Sequence, residues 1–430
     1  MKRLLLALTL IAVALVAAGA ALLAWQRRLP DATPPSSPTV DLRRGAYLAA
    51  VGNCAGCHTA RGGERLAGGR PIPTPFGTVY SSNLTPHASG LAGWSADDFW
   101  RALHLGQSRD GRLLLPAHPI TNTTRITRAD ADALHAWLQA QPAVDAPRRP
   151  HELRWPLDTE LGRQLAVAAW RALYFRPGVF QPDAARDAAW NRGAYLSQGL
   201  AHCSACHAGR NALGGDQGAD DFRGGLLAGL GWHAPSLLDP AEAGVQRWAD
   251  DTLRRWLRDG QAQGHTAQGP MAEVILGSTA ALDDDDLAAM SAYLRALPEQ
   301  AAARPAPAKP DPRRRERGAA LYREHCMACH GEHGEGRLDA SGAIAYPALA
   351  GSRIVTQASA ANLIRIIERG GYAPATPGNP RPYGMPPFAG LLGADDLAAL
   401  ASHLRQSFGH QAGEIDDVEV LRLRAATAAH

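Results

Sequence analysis

At 430 residues the chain is too long for one core and suggests two to four domains, while 46% hydrophobic and 20% charged residues exclude general disorder. Its 44 basic and 41 acidic residues leave a net charge of +3, and no Lys/Arg block is interleaved with aromatics, which excludes nucleic acid as a partner.

The N-terminus comes first. Leu4 to Trp25 contains no charge, and as a helix it would be about 33 Å long, enough to span a bilayer. Signal-peptide cores are usually shorter, yet Ala18, Gly19 and Ala20 would permit cleavage. Residues 1–28 therefore read as a membrane anchor or signal segment, with the uncleaved anchor preferred. Lys2 and Arg3 favour a cytoplasmic N-terminus, an asymmetry weakened by Arg27 and Arg28, and Trp25 suits the interface. Either reading exports the remainder. The PDATPPSSPT stretch at 30–39 reads as an extended tether.

The six cysteines fall as three pairs, each closed by histidine: Cys54, Cys57 and His58; Cys203, Cys206 and His207; Cys326, Cys329 and His330. The C-x-x-C-H spacing presents two thiols and an imidazole from one helical turn. This is the attachment site of haem c, with thioethers to the porphyrin and the histidine as proximal iron ligand. A single such pentapeptide also suits a thioredoxin-like redox pair or half a zinc site. Three that use every cysteine point instead to three covalently bound haem c groups.

The surrounding sequence repeats with them. Arg-Gly-Ala recurs at 44–46, 192–194 and 317–319, with the glycine nine, ten and eight residues before the first cysteine. Each unit reads as a short helix leading into the haem turn, a Gly-rich loop, and then helical segments. Ser95 with Asp98 and Thr127 with Asp130 form possible capping boxes for two helices of the first unit. Their counterparts are DTLRRWLRDG and LDDDDLAAMSAYLRALP in the second unit, then ANLIRIIERGG and ADDLAALASHLRQSFG in the third. The fold class is all-α, with three tandem cytochrome c domains at 40–150, 183–299 and 312–410 after the N-terminal helix. The Trp/Arg-rich stretch from 151 to about 182 is longer than a hinge needs and is expected to pack across a domain or a partner. Residues 298–317 read as a stiff, solvated linker, and the tail after Gly409 is short enough to wrap back.

A haem that only passes electrons needs a sixth ligand, and methionine raises its potential relative to histidine. Of five methionines, Met1 starts the chain, Met327 lies inside a haem motif, and Met290 sits on an apolar helical face as a core residue. Met271 and Met385 remain, 64 and 55 residues beyond His207 and His330, each beside proline. The first unit has no methionine between His58 and Cys203. The same spacing from His58 covers residues 113–122, where the only histidine is His118, in Pro116-Ala117-His118-Pro119. His118, Met271 and Met385 are thus the expected sixth ligands of the iron atoms held by His58, His207 and His330. For His118 the alternatives are a different or absent ligand and a plain surface role. His87 comes too early, His104 and His135 belong to helices, and His202, His325, His233 and His265 are expected to face solvent.

Taken together, GAYLAAVGNCAGCHTARGG, GGRPIPTPFGTVYSSNLTP, WNRGAYLSQGLAHCSACH, GPMAEVILGS and GMPPFAGLL resemble the membrane-anchored tri-haem cytochrome c subunit of bacterial periplasmic dehydrogenases. The resemblance covers most of the chain. It implies a non-catalytic electron-transfer subunit at the bacterial inner membrane, with its haem domains in the periplasm. It further implies a catalytic subunit oxidising an alcohol, aldehyde or sugar acid as electron donor, and ubiquinone or another cytochrome as acceptor. In that family the position of His118 is normally methionine, a departure that bears on the potential of the first haem. A freestanding or oxidase-associated carrier and a multihaem peroxidase are the alternatives.

Overall fold

A computed structural model describes residues 1–28, 40–227, 229–302, 311–340 and 342–428. The expected tether at 30–39 and the middle of the 298–317 linker lie outside the described residues. The chain forms two compact units: Met1–Ala49, Cys57–Gln181 and Arg210–Ala219 in the first, and Ala50–Gly56, Pro182–Gly209 and Asp220–His430 in the second.

In chain order the first elements are α1 (Lys2–Gln26), α2 (Leu42–Val51), α3 (Cys54–His58), β1 (Pro71–Thr74), β2 (Gly77–Tyr80), α4 (Ala96–Leu105), α5 (Ile120–Thr123), α6 (Arg128–Gln139), β3 (Glu152–Leu153) and α7 (Glu160–Tyr174). The middle of the chain forms α8 (Ala188–Gln198), α9 (Ser204–His207), β4 (Gly225–Leu227), β5 (Trp232–Ala234), α10 (Asp250–Asp259), β6 (Gln261–Ala262), β7 (His265–Thr266), α11 (Gly269–Gly277) and α12 (Asp284–Arg295). The remainder forms α13 (Pro312–His325), α14 (Met327–His330), β8 (Arg337–Leu338), β9 (Ile344–Tyr346), α15 (Arg353–Thr356), α16 (Ala361–Arg369), β10 (Gly371–Tyr372), β11 (Gly384–Met385), α17 (Ala394–Gln406) and α18 (Asp417–Ala428). Helices carry the fold, as the all-α reading expects.

One helix crossing recurs three times, and its chemistry is written in the Arg-Gly repeats. A Cβ at Gly45 of α2 would overlap the Ala133 carbonyl oxygen of α6 and lie 2.6 Å from Trp137 Cβ. The same holds for Gly193 of α8 against Ala289 and Tyr293 of α12, and for Gly318 of α13 against Ala399 and His403 of α17. Only a residue without a Cβ lets these backbones approach so closely. The preceding arginine then clamps each crossing through a two-pronged ion pair. Arg44 reaches Asp130 (Nε–Oδ1 3.0 Å), Arg192 reaches Asp286 (both contacts 2.7 Å), and Arg317 reaches Asp396 (2.7 and 2.9 Å). Fork-to-carboxylate pairing fixes the orientation of the crossing as well as adding energy.

Middle helices repeat too. α4, α10 and α16 each stop at a glycine of positive φ, Gly106 (58°), Gly260 (68°) and Gly370 (61°). Ser95 and Asp98 form the complete capping box expected for α4. Thr127 accepts the Asp130 N–H at the start of α6, while the Asp130 carboxylate also receives Arg44. In the third region Leu363, Ile364, Ile367, Leu397, Leu400 and Leu404 pack into one core, each such burial contributing about 1.5–3 kcal/mol. Met290 is fully buried, as its helical face suggests.

One expectation changes. Where Gly-rich loops were expected after the haem turns, short antiparallel hairpins stand: β1–β2, β4–β5 and β8–β9. Strands of two to four residues are too short to display an alternating pattern. The second and third C-x-x-C-H regions lie within one compact unit. The His233 N–H donates to Asn362 Oδ1 at 2.9 Å, Asn362 returns a bond to the His233 carbonyl at 2.7 Å, and Arg353 reaches the Gly244 carbonyl at 2.8 Å. The C-terminal tail does wrap back: Val420 of α18 is fully buried, and Arg424 pairs with Glu368.

The 151–182 stretch has a definite place. Leu22 and Leu23 of α1 pack with Leu113, Val167 and Ala168. Arg27 donates to Gln164 at 2.8 Å, and Arg171 to Gln26 at 3.0 Å. α7 therefore ties the end of α1 to the folded body of the first unit.

Candidate functional site

Each C-x-x-C-H segment forms a short helical turn, in α3, α9 and α14. No disulfide joins any of the six cysteines. Burial, with a smaller contribution from the second cysteine of each pair, pushes the Cys203 thiol up to about 12 and the Cys326 thiol to about 11. A dithiol redox pair needs the opposite shift, toward thiolate at neutral pH. Among the described residues no cluster of three or more His, Cys, Asp or Glu is placed to hold a metal ion.

The three histidines share one geometry. His58 Nδ1 lies 2.7 Å from the Ser82 carbonyl, His207 Nδ1 2.7 Å from the Pro235 carbonyl, and His330 Nδ1 2.9 Å from the Pro347 carbonyl. A carbonyl only accepts, so each ring carries its proton on Nδ1 and keeps its lone pair on Nε2. This is the state an imidazole needs to bind iron, and the bond also fixes the ring plane. Burial holds all three imidazoles below the ordinary histidine range, against an upward pull from the carbonyl bond. They are neutral at pH 7.

The hairpins explain how the carbonyls arrive. Ser82, Pro235 and Pro347 each lie one or two residues beyond the second strand of a hairpin, after Tyr80, Ala234 and Tyr346. Gly68, Gly224 and Gly336 donate their N–H to the carbonyls of His58, His207 and His330 at 2.7, 2.6 and 2.8 Å. All three have positive φ, and a Cβ on any would run into the backbone of the carbonyl-bearing segment. Neither set was foreseen from sequence. The acceptors are main-chain atoms, and the glycines follow their histidines at ten, seventeen and six residues, so no fixed spacing marks them.

The three residues expected as sixth ligands differ in their settings. Met385 ends β11 and packs, with Cys326 and Phe388, against the apolar core of the third region. Met271 lies half-buried in the first turn of α11, directly after Pro270. His118 is half-buried in the loop before α5. Its Nε2 lies 3.1 Å from Thr123 Oγ1, whose hydroxyl is 2.7 Å from the Leu103 carbonyl. That hydroxyl spends its one proton on Leu103, so His118 donates from Nε2, whereas His58, His207 and His330 donate from Nδ1.

The competing histidines are engaged elsewhere. His104 bonds the Thr124 carbonyl at 2.8 Å and stacks on Trp100, His135 bonds the Trp94 carbonyl at 3.1 Å, and His87 bonds Ser89. The solvent-facing assignment of His202, His233, His265 and His325 is corrected, since each is half-buried with a partner. His202 Nε2 meets the Gly52 carbonyl at 3.3 Å, His233 pairs with Glu242 at 3.3 Å, His265 meets the Ala348 carbonyl at 3.2 Å, and His325 lies 3.6 Å from Glu324. His202 thereby links the strand of chain before Cys54 to the residue before Cys203, a contact far apart in sequence and invisible there.

The residues thus fit covalently attached haem c: unbridged cysteine pairs on helical turns, each followed by a neutral imidazole held with Nε2 available. Comparison with known proteins agrees. The family model "Cytochrome c" matches residues 42–142, 191–298 and 315–408. The chain is 35% identical to the gluconate 2-dehydrogenase cytochrome c subunit of Pantoea cypripedii, covering 90% of this chain and 91% of that one. It is 32% identical to the fructose dehydrogenase cytochrome subunit of Gluconobacter japonicus, covering 92% and 85%. A nicotinate dehydrogenase subunit of Pseudomonas putida is 36% identical over 90% of this chain, which spans 32% of that longer protein.

Proposed function

The chain belongs to the cytochrome c family, and from that premise we propose that it is a three-haem electron-transfer subunit. It receives electrons from a periplasmic dehydrogenase that oxidises an alcohol, aldehyde or sugar acid, and passes them to ubiquinone or another respiratory acceptor. Haem c, when bound, supplies a one-electron ferric/ferrous couple. Cys54, Cys57, Cys203, Cys206, Cys326 and Cys329 would hold three such groups, with His58, His207 and His330 as proximal ligands. His118, Met271 and Met385 would complete the three coordination spheres.

The observation that carries this reading is the threefold recurrence of a neutral imidazole whose Nδ1 is anchored to a main-chain carbonyl. Three domains, at 40–150, 183–299 and 312–410, would each supply one such site. The chain's own residues do no chemistry on an organic substrate in this scheme; they orient ligands, exclude water and set potentials. α1 supports placement at the inner membrane as a retained anchor, being 25 residues long, with mean hydropathy 2.6 over its most apolar 18 residues and with its C-terminal end packed on α7.

The test is purification of the full chain from its native membrane. The expected result is a dehydrogenase subunit in stoichiometric amount and an intact mass that includes three haems. Oxidase subunits in its place, or a mass with fewer haems, would overturn the reading.

A further inference from the structure

α7 turns an apolar side to solvent. Its buried side mixes Val167, Ala168 and Trp170 with two polar residues, Gln164 and Arg171. Gln164 donates to the Leu113 carbonyl at 3.0 Å and accepts the Leu113 N–H at 2.9 Å, while Arg171 donates to the Leu105 carbonyl. Its outward side is apolar: Leu161 and Leu173 are 65% and 61% exposed, and Ala166 is exposed between them. Trp155, in the turn leading into the helix, is 81% exposed. A surface helix in water turns polar residues outward.

Position identifies what covers this face. α1 has no buried residues along its length, and its last third meets α7 through Leu22, Leu23, Gln26 and Arg27. A Cβ on Gly19 would sit 3.4 Å from Leu165. Gly19 lies six residues before Trp25, about 9 Å deeper along the helix, which sets α7 at the level where the anchor leaves the hydrocarbon. Exposed Arg28, Arg154 and Arg176 flank the same region, suited to lipid phosphates.

We propose that α7 and the Trp155 turn form a second membrane contact, lying in the bilayer interface with Trp155, Leu161 and Leu173 among the acyl chains. This rests on the reading of α1 as a retained anchor. It gives the first unit a fixed seat on the membrane rather than a free swing at the end of a tether.

The test uses the full haem-loaded chain in phosphatidylcholine/phosphatidylglycerol vesicles carrying a phospholipid with a diazirine in its acyl chain, with photoadducts mapped by peptide mass spectrometry. Adducts on both α1 and residues 155–173 are expected. The double variant Leu161→Gln/Leu173→Gln should lower the α7 adducts several-fold and leave those on α1 unchanged. Adducts confined to α1 would overturn the α7 contact and leave the anchor standing. Adducts on neither would overturn both, and adducts on α7 in a chain lacking α1 would support the contact while removing the retained anchor.

Discussion

The first and third C-x-x-C-H regions share a frame and differ in what fills it. Both have a glycine at the helix crossing, an arginine–aspartate clamp, a hairpin-borne carbonyl on the proximal histidine and a glycine beneath it. Yet His118 sits in a proline-bounded loop, bonded to Thr123, where the third region offers Met385 on a strand against an apolar core. Close main-chain approach and the ion pair that clamps it dictate the shared features. The differing ones occupy a loop and a two-residue strand outside that frame, where a change of side chain leaves it intact.

That contrast is open to attack at several points, in descending order of effect. Leucine in place of Gly45, Gly193 or Gly318 drives a side chain into an opposing carbonyl, and each should cost more than about 3 kcal/mol and abolish haem loading of its own region. Haem-stained gels and thermal melts would show this, whereas Gly178→Ala, with open space around it, should be silent. Equal tolerance at all four positions would break the idea of a shared frame.

The largest redox effect belongs to His118→Met. It should raise the midpoint potential of one haem and leave the other two and the thermal stability nearly unchanged. A spectroelectrochemical titration identical to that of the parent would sink the assignment of His118.

Smaller effects grade the clamps. Arg192→Ala leaves the buried Asp286 carboxylate without its two-pronged partner and should lower stability by about 1–2 kcal/mol by urea titration. Arg317→Ala, at the more exposed version of the clamp, should cost less.

Helix capping separates the first region from the second. α4 has its Ser95–Asp98 box, while Ala249 precedes α10 and offers no side-chain bond. Ser95→Ala should cost about 1 kcal/mol, and Ala249→Ser should recover part of that in its own region. The effect of Ser95→Ala should also depend on pH. Burial pushes Asp98 upward, but bonds from Ser95 and Arg101 outweigh it and hold the carboxyl below its ordinary value. A carboxyl depressed by folding stabilises fully above about pH 4 and loses that contribution as pH falls through its lower folded value. Urea midpoints measured from pH 6 to pH 2 should therefore fall less steeply for Ser95→Ala than for the parent.

Side-chain chemistry at fixed spacing was legible in the chain: the three C-x-x-C-H turns, the Arg-Gly repeats, the Ser95 box and the burial of Met290. What stayed hidden depends on main-chain groups or on distant chain meeting. Ser82, Pro235 and Pro347 act through carbonyls, which every residue has. His202 finds Gly52 across 150 residues. The 151–182 stretch was legible as longer than a hinge, but the exposed apolar side of α7 was not, until its partners were known.

The backbone carbonyl behind each proximal histidine has a consequence for how such a protein can diversify. Substituting Ser82, Pro235 or Pro347 changes a side chain and leaves the acceptor in place, so no single codon change deletes the bond. The proximal half of each site is thereby sheltered from drift. On the proposed assignment of ligands, variation in potential among the three sites would then accumulate on the distal side, where one exchanged letter, such as that at position 118, is enough.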